Sequence, residues 1–259
     1  MLISCRKLTK SFGDKVVLNG LGMDICQGDR IGLVGRNGAG KTTLANILAG
    51  GLAYDEGSMI STRQKLSIGY LRQNEAEPEL FSSVLSNETM VNGEFQRLTS
   101  HLGINRIHDW SGERLRNLSG GEKTKLALAA VLAAQPDLII LDEPTNHMDY
   151  LGVEYLVAEL NRFPGAAIII SHDRYFLNST VSQIAEIENG KLKMYPGNYS
   201  RYREAKQQEK ESQWHRYQSQ QKEQQKINAT ADRLRNWSDK AHRESRQKGE
   251  GIGGKEYYR

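Results

Sequence analysis

A chain of 259 residues, 38% hydrophobic and 25% charged, can bury one good core with some length left over. Its formal charge of +4 is unevenly placed: residues 201–259 carry 15 Lys and Arg against 9 Asp and Glu, net +6, whereas residues 1–200 carry 20 against 22, net −2. No apolar run reaches the ~18 residues of a membrane span, the N-terminus lacks a charged-then-apolar leader pattern, and Cys5 and Cys26 lack CxxC spacing, which together predict a cytoplasmic protein with reduced packing thiols.

Leu2 to Ile25 shows short apolar runs broken at Phe12-Gly13-Asp14 and Asn19-Gly20, the pattern of a small antiparallel β-layer. Phe12 stands beside the first break, where an aromatic ring near a nucleotide could stack on a base. The apolar run Ile31 to Val34 then leads into GRNGAGKT, Gly35 to Thr42, which fits G-x-x-x-x-G-K-[ST] and precedes a helix-like run to Leu48. A strand, a glycine-rich turn and a helix N-terminus aim backbone N–H groups and the positive end of the helix dipole at one concave spot, which suits phosphate. The candidate cradle is Gly35, Arg36, Asn37, Gly38, Ala39, Gly40, Lys41, Thr42 and Thr43, with Lys41 reaching the outer phosphates and the Thr42 hydroxyl serving Mg²⁺.

Ser67 to Leu71 is a further strand candidate that delivers Gln73 to its C-terminal end, where ligands bind in parallel α/β sheets. Residues 74–117 are more polar. Val84, Leu85, Val91, Phe95, Leu98 and Leu102 recur at roughly helical spacing, so this stretch reads as a small helical insert. Ser119, Gly120, Gly121 and Glu122 open the Ala/Leu-rich run Lys125 to Ala134 and look like a helix N-terminus with bare amides, a second phosphate seat.

Asp137 to Leu141 is a continuous apolar strand of the buried parallel type, ending in Asp142-Glu143-Pro144. Carboxylates at that end suit metal and water handling: Asp142 toward Mg²⁺, Glu143 toward the attacking water. Ala166 to Ile170 forms another such strand and ends in Ser171-His172-Asp173, which places His172 to meet a terminal phosphate. Glu188-Asn189-Gly190-Lys191 is a hairpin signal. From Arg201 the composition turns to Gln, Lys, Arg and Glu; Ile227, Leu234 and Ala241 recur every seven residues with Thr230 and Trp237 between them, the pattern of a helix with an apolar seam.

In order, Phe12, GRNGAGKT, Gln73, LSGGE, LDEP and His172 resemble the motifs of the ATP-binding-cassette ATPases over residues 1 to about 200. The resemblance implies an α/β P-loop NTPase with an antiparallel β-layer, a helical subdomain over about 74–135, and a C-terminal helical linker from 201. It implies ATP and Mg²⁺ as cofactors, Phe12 as the base-stacking ring, and Gln73 as a contact to metal and water. Asp142 is then the metal-side acid, Glu143 the catalytic acid and His172 the switch histidine. It also implies that Ser119 to Glu122 complete the ATP site of an opposing cassette.

LDEPTNHMD, Leu141 to Asp149, is similar to the LDEPTNHLD signature of the ABC-F proteins, with Met148 where leucine is usual, and GNYSRYREAK resembles the point where their first cassette enters the interdomain linker. That branch implies a second cassette in the same chain, no membrane span, and action on the ribosome, where the linker reaches toward 23S rRNA, the P-site tRNA and the peptidyl-transferase centre. The expectation is then a fragment of a chain about twice as long, ribosome-associated, and leaning toward the antibiotic-resistance branch because the 74–117 span is short. The alternatives are the nucleotide-binding subunit of a membrane transporter, which would share every catalytic residue, and a chromosome or DNA-repair cassette, whose coiled coil would interrupt the cassette rather than follow it.

Overall fold

In the computed structural model, residues 1–63, 65–73, 92–105, 114 and 117–250 are described, without the side chains of 236 and 238–250. Val84, Leu85 and Val91 of the expected helical insert, and residues 251–259, lie outside the described residues. The chain divides into two compact units, Met1–Arg203 and Glu204–Arg259.

Two sheets build the first unit. Strands β1 (Ile3–Phe12), β2 (Lys15–Ile25) and β4 (Glu56–Ser61) form an antiparallel layer in the order β2-β1-β4. The turn between β1 and β2 falls at the first expected break, Gly13-Asp14, whereas Asn19-Gly20 is a register shift inside the continuous strand β2 rather than a second break. Strand β4 escapes a sequence reading because EGSMIS has no buried face and is held by main-chain pairing to β1, Ile3 opposite Ser61 and Cys5 opposite Met59.

The second sheet holds β3 (Arg30–Gly35), β5 (Ile68–Leu71), β6 (Leu138–Asp142), β7 (Ala166–Ile170), β8 (Gln183–Glu188) and β9 (Lys191–Pro196), in the order β5-β6-β7-β3-β8-β9. All pairings are parallel except β8 with β9. Every residue of β6 and β7 is buried, which is why LIILD and AAIII are unbroken apolar runs rather than alternating ones. Because β3, β5, β6 and β7 run the same way, the turns after them open at one end of the sheet. One core joins both sheets: Leu8, Leu18 and Ile25 from the layer meet Ile31, Leu33, Ile140 and Ile168, with Leu44, Ile47 and Leu48 of helix α1 (Lys41–Leu48).

Helices α2 (Gly93–His101), α3 (Gly120–Ala133), α4 (Tyr150–Arg162) and α5 (Arg174–Thr180) follow in the same unit. Phe95 and Leu98 are the buried face of α2, as their spacing requires, and the Asn92 side chain caps it by accepting from the N–H groups of Glu94 and Phe95. Arg97 ties α2 to α4: its guanidinium donates to Glu94, to Glu159 at 2.8 and 3.0 Å, and to the Tyr155 hydroxyl at 2.7 Å. The second unit is the continuation of helix α6 (Tyr199–Glu250), in which every side chain from 210 to 235 is exposed. Among the described residues no helix is long and apolar enough to cross a membrane.

Arg30 closes the C-terminal end of α4. Its guanidinium donates to the carbonyls of Leu160 at 3.0 Å, Gly165 at 2.6 Å and Phe163, and lies over the Phe163 ring at 5.7 Å. Leu160 lies in the last turn of α4, where its carbonyl also accepts the Phe163 N–H at 3.3 Å, and Phe163 and Gly165 belong to the turn that leaves the helix. Arg30→Ala should lower the urea midpoint, with a stability loss on the order of 2–3 kcal/mol for a lost set of charged hydrogen bonds, while leaving nucleotide-analogue affinity near wild type; an unchanged midpoint would contradict this capping role.

Candidate active site

The turn after β3 is shaped by contacts that exclude side chains. Gly35 has φ 154°, and a Cβ there would fall 2.5 Å from the carbonyl oxygen of Ile187 on β8. Gly40, the N-cap of α1, has φ 104°, and a Cβ would fall 2.7 Å from Leu18 and 2.9 Å from Val17. The loop is therefore pinned between the parallel sheet and the β1-β2 hairpin, which is what lets the first amides of α1 converge. Arg36, Asn37 and Gly38 are exposed on its crest, with Ala39 and Thr43 half-buried. The Lys41 ammonium folds back onto the loop, donating to the carbonyls of Gly35 at 2.9 Å and Arg36 at 3.2 Å.

From this loop a line of polar contacts crosses three strand ends. The Thr42 hydroxyl donates to Asp142 Oδ2 at 2.9 Å. Asp142 ends β6 and Glu143 follows it, buried to 2% and 9% exposure, and the Glu143 N–H donates to the Ile170 carbonyl at the end of β7. His172, two residues beyond β7, donates its N–H to Glu143 Oε2 at 3.4 Å and holds Nε2 3.5 Å from Oε1. Glu143 has φ 55°, in the left-handed region. A strained backbone at that position aims the carboxyl where the regular strand would not.

Burial pushes the carboxyl of Asp142 above its ordinary value, against the Thr42 hydrogen bond and the charges of Lys41 and His172. Burial likewise raises that of Glu143, opposed chiefly by His172 and reinforced by Asp142. A hydroxyl and a carboxylate side by side beneath a phosphate-shaped loop form a donor set that suits Mg²⁺, which takes one or two protein oxygens and completes its shell from phosphates and water. The residues thus fit a phosphate chain with its cation.

Lys41, Thr42, Asp142, Glu143 and His172 are brought together. Phe12 stands at the tip of β1, 52% exposed, with the Lys10 ammonium 5.7 Å from its ring centre. Gln73 lies two residues beyond β5 and is exposed, on the strand that pairs with β6 through Leu71 and Leu141. Among the described residues, no hydrogen bond or ion pair joins either to the group of five.

The second expected seat differs from its reading as a bare helix end. Ser119 and Glu122 form a capping box: the Ser119 Oγ accepts from the Glu122 N–H at 3.3 Å, and Glu122 Oε2 accepts from the Ser119 N–H at 2.9 Å. Those two amides are already covered. Ser119, Gly120 and Gly121, with Arg114, Lys125 and His147, line a cavity of about 610 Å³. His147 is the residue that motif reading passed over; it sits at φ 65°, and a Cβ on Gly121 would meet its Cβ at 3.0 Å. Its signal was present in TNHMD, but the turn that carries it against Gly121 depends on backbone angles that no residue pattern announces.

Two family models match the chain, both described as ABC transporter, one over residues 18–146 and the other over residues 185–249. Ribosome protection protein VmlR of Bacillus subtilis is 33% identical over all of this chain and 44% of its own length. Putative ATP-binding protein YdiF of the same organism is 34% identical over 90% of this chain and 43% of its own. Energy-dependent translational throttle protein EttA of Mycobacterium tuberculosis is 32% identical over 79% and 44%. The chain spans less than half the length of these relatives. Among solved structures, the ATP binding subunit of an ABC transporter aligns with TM-score 0.63 at 18% identity, over 76% of this chain and 90% of that one, a likeness of fold.

The raised carboxyls carry a stability consequence. A folded-state value above the unfolded one means that unfolding releases protons between the two, so these groups lower stability as pH rises through that window and cost nothing below it. Without nucleotide, Asp142→Asn should therefore raise the urea midpoint at neutral pH, with the gain narrowing as pH falls toward about 4, the ordinary Asp range; a gain independent of pH would refute the assignment.

Proposed function

The chain belongs to the ABC-F branch of the ATP-binding-cassette family, and from that membership we propose that it binds and hydrolyses ATP with Mg²⁺ as one cassette of a two-cassette protein that acts on the ribosome. The observation that carries the reading is the continuous line Thr42, Asp142, Glu143, His172 at the ends of adjacent parallel strands beside the pinned loop. Gly35 to Thr43 cradle the phosphates, and the Lys41 ammonium exchanges its loop carbonyls for outer-phosphate oxygens. Thr42 and Asp142 hold Mg²⁺, which when bound neutralises charge on the phosphates.

Glu143 orients the attacking water and takes its proton as the water oxygen bonds to the terminal phosphorus and the bond to the ADP oxygen breaks. Burial moves its carboxyl toward the working pH, where a general base is most effective. His172, 69% exposed and tethered only loosely to Glu143, contacts the terminal phosphate, and Gln73 contacts metal and water. Phe12 stacks on the base. Ser119 to Glu122 face the nucleotide held by the second cassette, so a single cassette turns over slowly.

The basic helix α6 is the ribosome-facing arm. Residues 201–259 carry net +6 against −2 elsewhere, so the arm supplies most of the attraction to RNA phosphates. Trp214, Tyr217, Ile227, Leu234 and Trp237 are all more than half exposed along it, as an element built to meet a partner would be. In the cytoplasm, ATP binding would bring this arm toward 23S rRNA and the P-site tRNA near the peptidyl-transferase centre, in a ribosome-protection role like the one for which VmlR is named.

In a two-cassette chain, Glu143→Gln should retain ATP binding and lower turnover by about 10² to 10⁴, whereas Lys41→Ala should weaken nucleotide binding itself. Wild-type turnover in the glutamine variant would remove Glu143 from its role. Replacing Arg233, Arg235, Arg243, Arg246 and Lys248 by alanine should weaken ribosome co-sedimentation and flatten its salt dependence, each lost phosphate contact lowering the slope by roughly one unit. Superimposable salt series would make the arm a solvated spacer.

A further inference from the structure

The first turn of α6 is tied to the phosphate loop by a buried cluster that the hydrolytic reading leaves unused. Glu186, in β8, is 7% exposed, and both its oxygens accept hydroxyl hydrogen bonds: Oε1 from Tyr202 at 2.8 Å and Oε2 from Tyr195 at 3.2 Å. The Tyr195 and Tyr202 rings pack edge to face with centres 5.1 Å apart, and Tyr199 adds a third ring 5.7 Å from Tyr202. Both buried hydroxyls find their acceptor in this carboxyl, which an apolar side chain could not provide, so Glu186 and the two tyrosines specify one another's placement. The carboxyl fixes where the first turn of α6 sits on the sheet.

Two short routes lead from that turn to the nucleotide site. Along β8, Glu186 is in register with Val34 and the next residue, Ile187, with Gly35, whose missing Cβ would fall 2.5 Å from the Ile187 carbonyl oxygen. Gly35 and Ile187 are paired in the ladder and approach closely enough to admit only a glycine, so a shift of the loop bears on β8 beside Glu186. Along α5, Asp173 caps the helix immediately after His172, and Asn178 on the same helix accepts the Ser200 N–H at 2.8 Å. A movement of His172 toward or away from a phosphate reaches Ser200 through one rigid turn-and-a-half.

We infer that Tyr202, Glu186 and Asn178 are positioning residues forming the joint through which the state of the nucleotide site is passed to helix α6. The inference rests on the ATP-binding reading, since the site must have two states for the joint to transmit. Phosphate contacts at the loop and at His172 act on the same helical turn from two sides, so each route biases the other's end. Arm and nucleotide then influence one another reciprocally.

The test uses the full chain with a fluorescent ATP analogue for affinity and amide hydrogen exchange over residues 204–235 for the response of the helix. In wild type, saturating a non-hydrolysable ATP analogue should change exchange in that stretch by about fivefold or more, within the range of ordinary coupling. Tyr202→Phe keeps the ring and removes the donor; it should bind the analogue with near wild-type affinity while most of the exchange response is lost. Glu186→Gln, which retains an acceptor, should keep an intermediate response. Asn178→Ala tests the α5 route at an exposed bond and does not depend on the buried cluster folding normally. If Tyr202→Phe and Asn178→Ala both bind the analogue and respond as wild type does, the joint is wrong and the ATP reading stands. If wild type fails to bind the analogue, both fall together.

Discussion

The hydrogen bond from the Thr42 hydroxyl to Asp142 joins the two halves of the site, and the geometry around it depends on that join. Thr42 is the second residue of α1, placed by the loop after β3; Asp142 is the last residue of β6, two strands away in the sheet. Only a parallel arrangement brings both to one end, because β3, β7 and β6 must all point their C-termini the same way. The glycines on either side of Lys41's loop are consequences of the same demand. With Gly35 against Ile187 and Gly40 against Val17 and Leu18, α1 has little room to place Thr42 elsewhere.

The buried parts of this arrangement were readable in the residues. Ile139 to Leu141 and Ala166 to Ile170 are apolar without alternation because helices and the β1-β2-β4 layer cover both faces, and such runs have few other uses. The phosphate loop was readable because glycine at fixed spacing before a lysine answers a backbone requirement. Strand β4 was not, since its pairing to β1 is made by main-chain groups common to all sequences. The capping box at Ser119 was readable in principle, as serine followed three residues later by glutamate, yet attention to the glycines between them suggested open amides.

Position within the site was harder to see than membership of it. Glu143 and His147 both take left-handed backbone angles within one turn, and those angles decide that Glu143 faces His172 while His147 packs on Gly121. Histidine tolerates that region better than glutamate does, so it is chiefly at Glu143 that the cost must be met by surrounding contacts, among them its N–H bond to Ile170. Local propensity points away from the observed turn, and it is at functional turns that such disagreement is expected.

Three buried carboxyls on the same sheet show how differently such groups are treated according to use. Glu186 receives hydroxyl donors on both oxygens, and its environment is complete within the chain. Asp142 has one such donor, from Thr42, and burial still raises its proton affinity. Glu143 has the weakest company: a backbone N–H at 3.4 Å and an imidazole at 3.5 Å that is itself largely exposed. A fully satisfied carboxyl resists rearrangement, whereas one left with long contacts gains most from a new partner. The gradient therefore runs from the group bonded to the first turn of α6, through the group suited to a cation, to the group proposed to exchange partners with water.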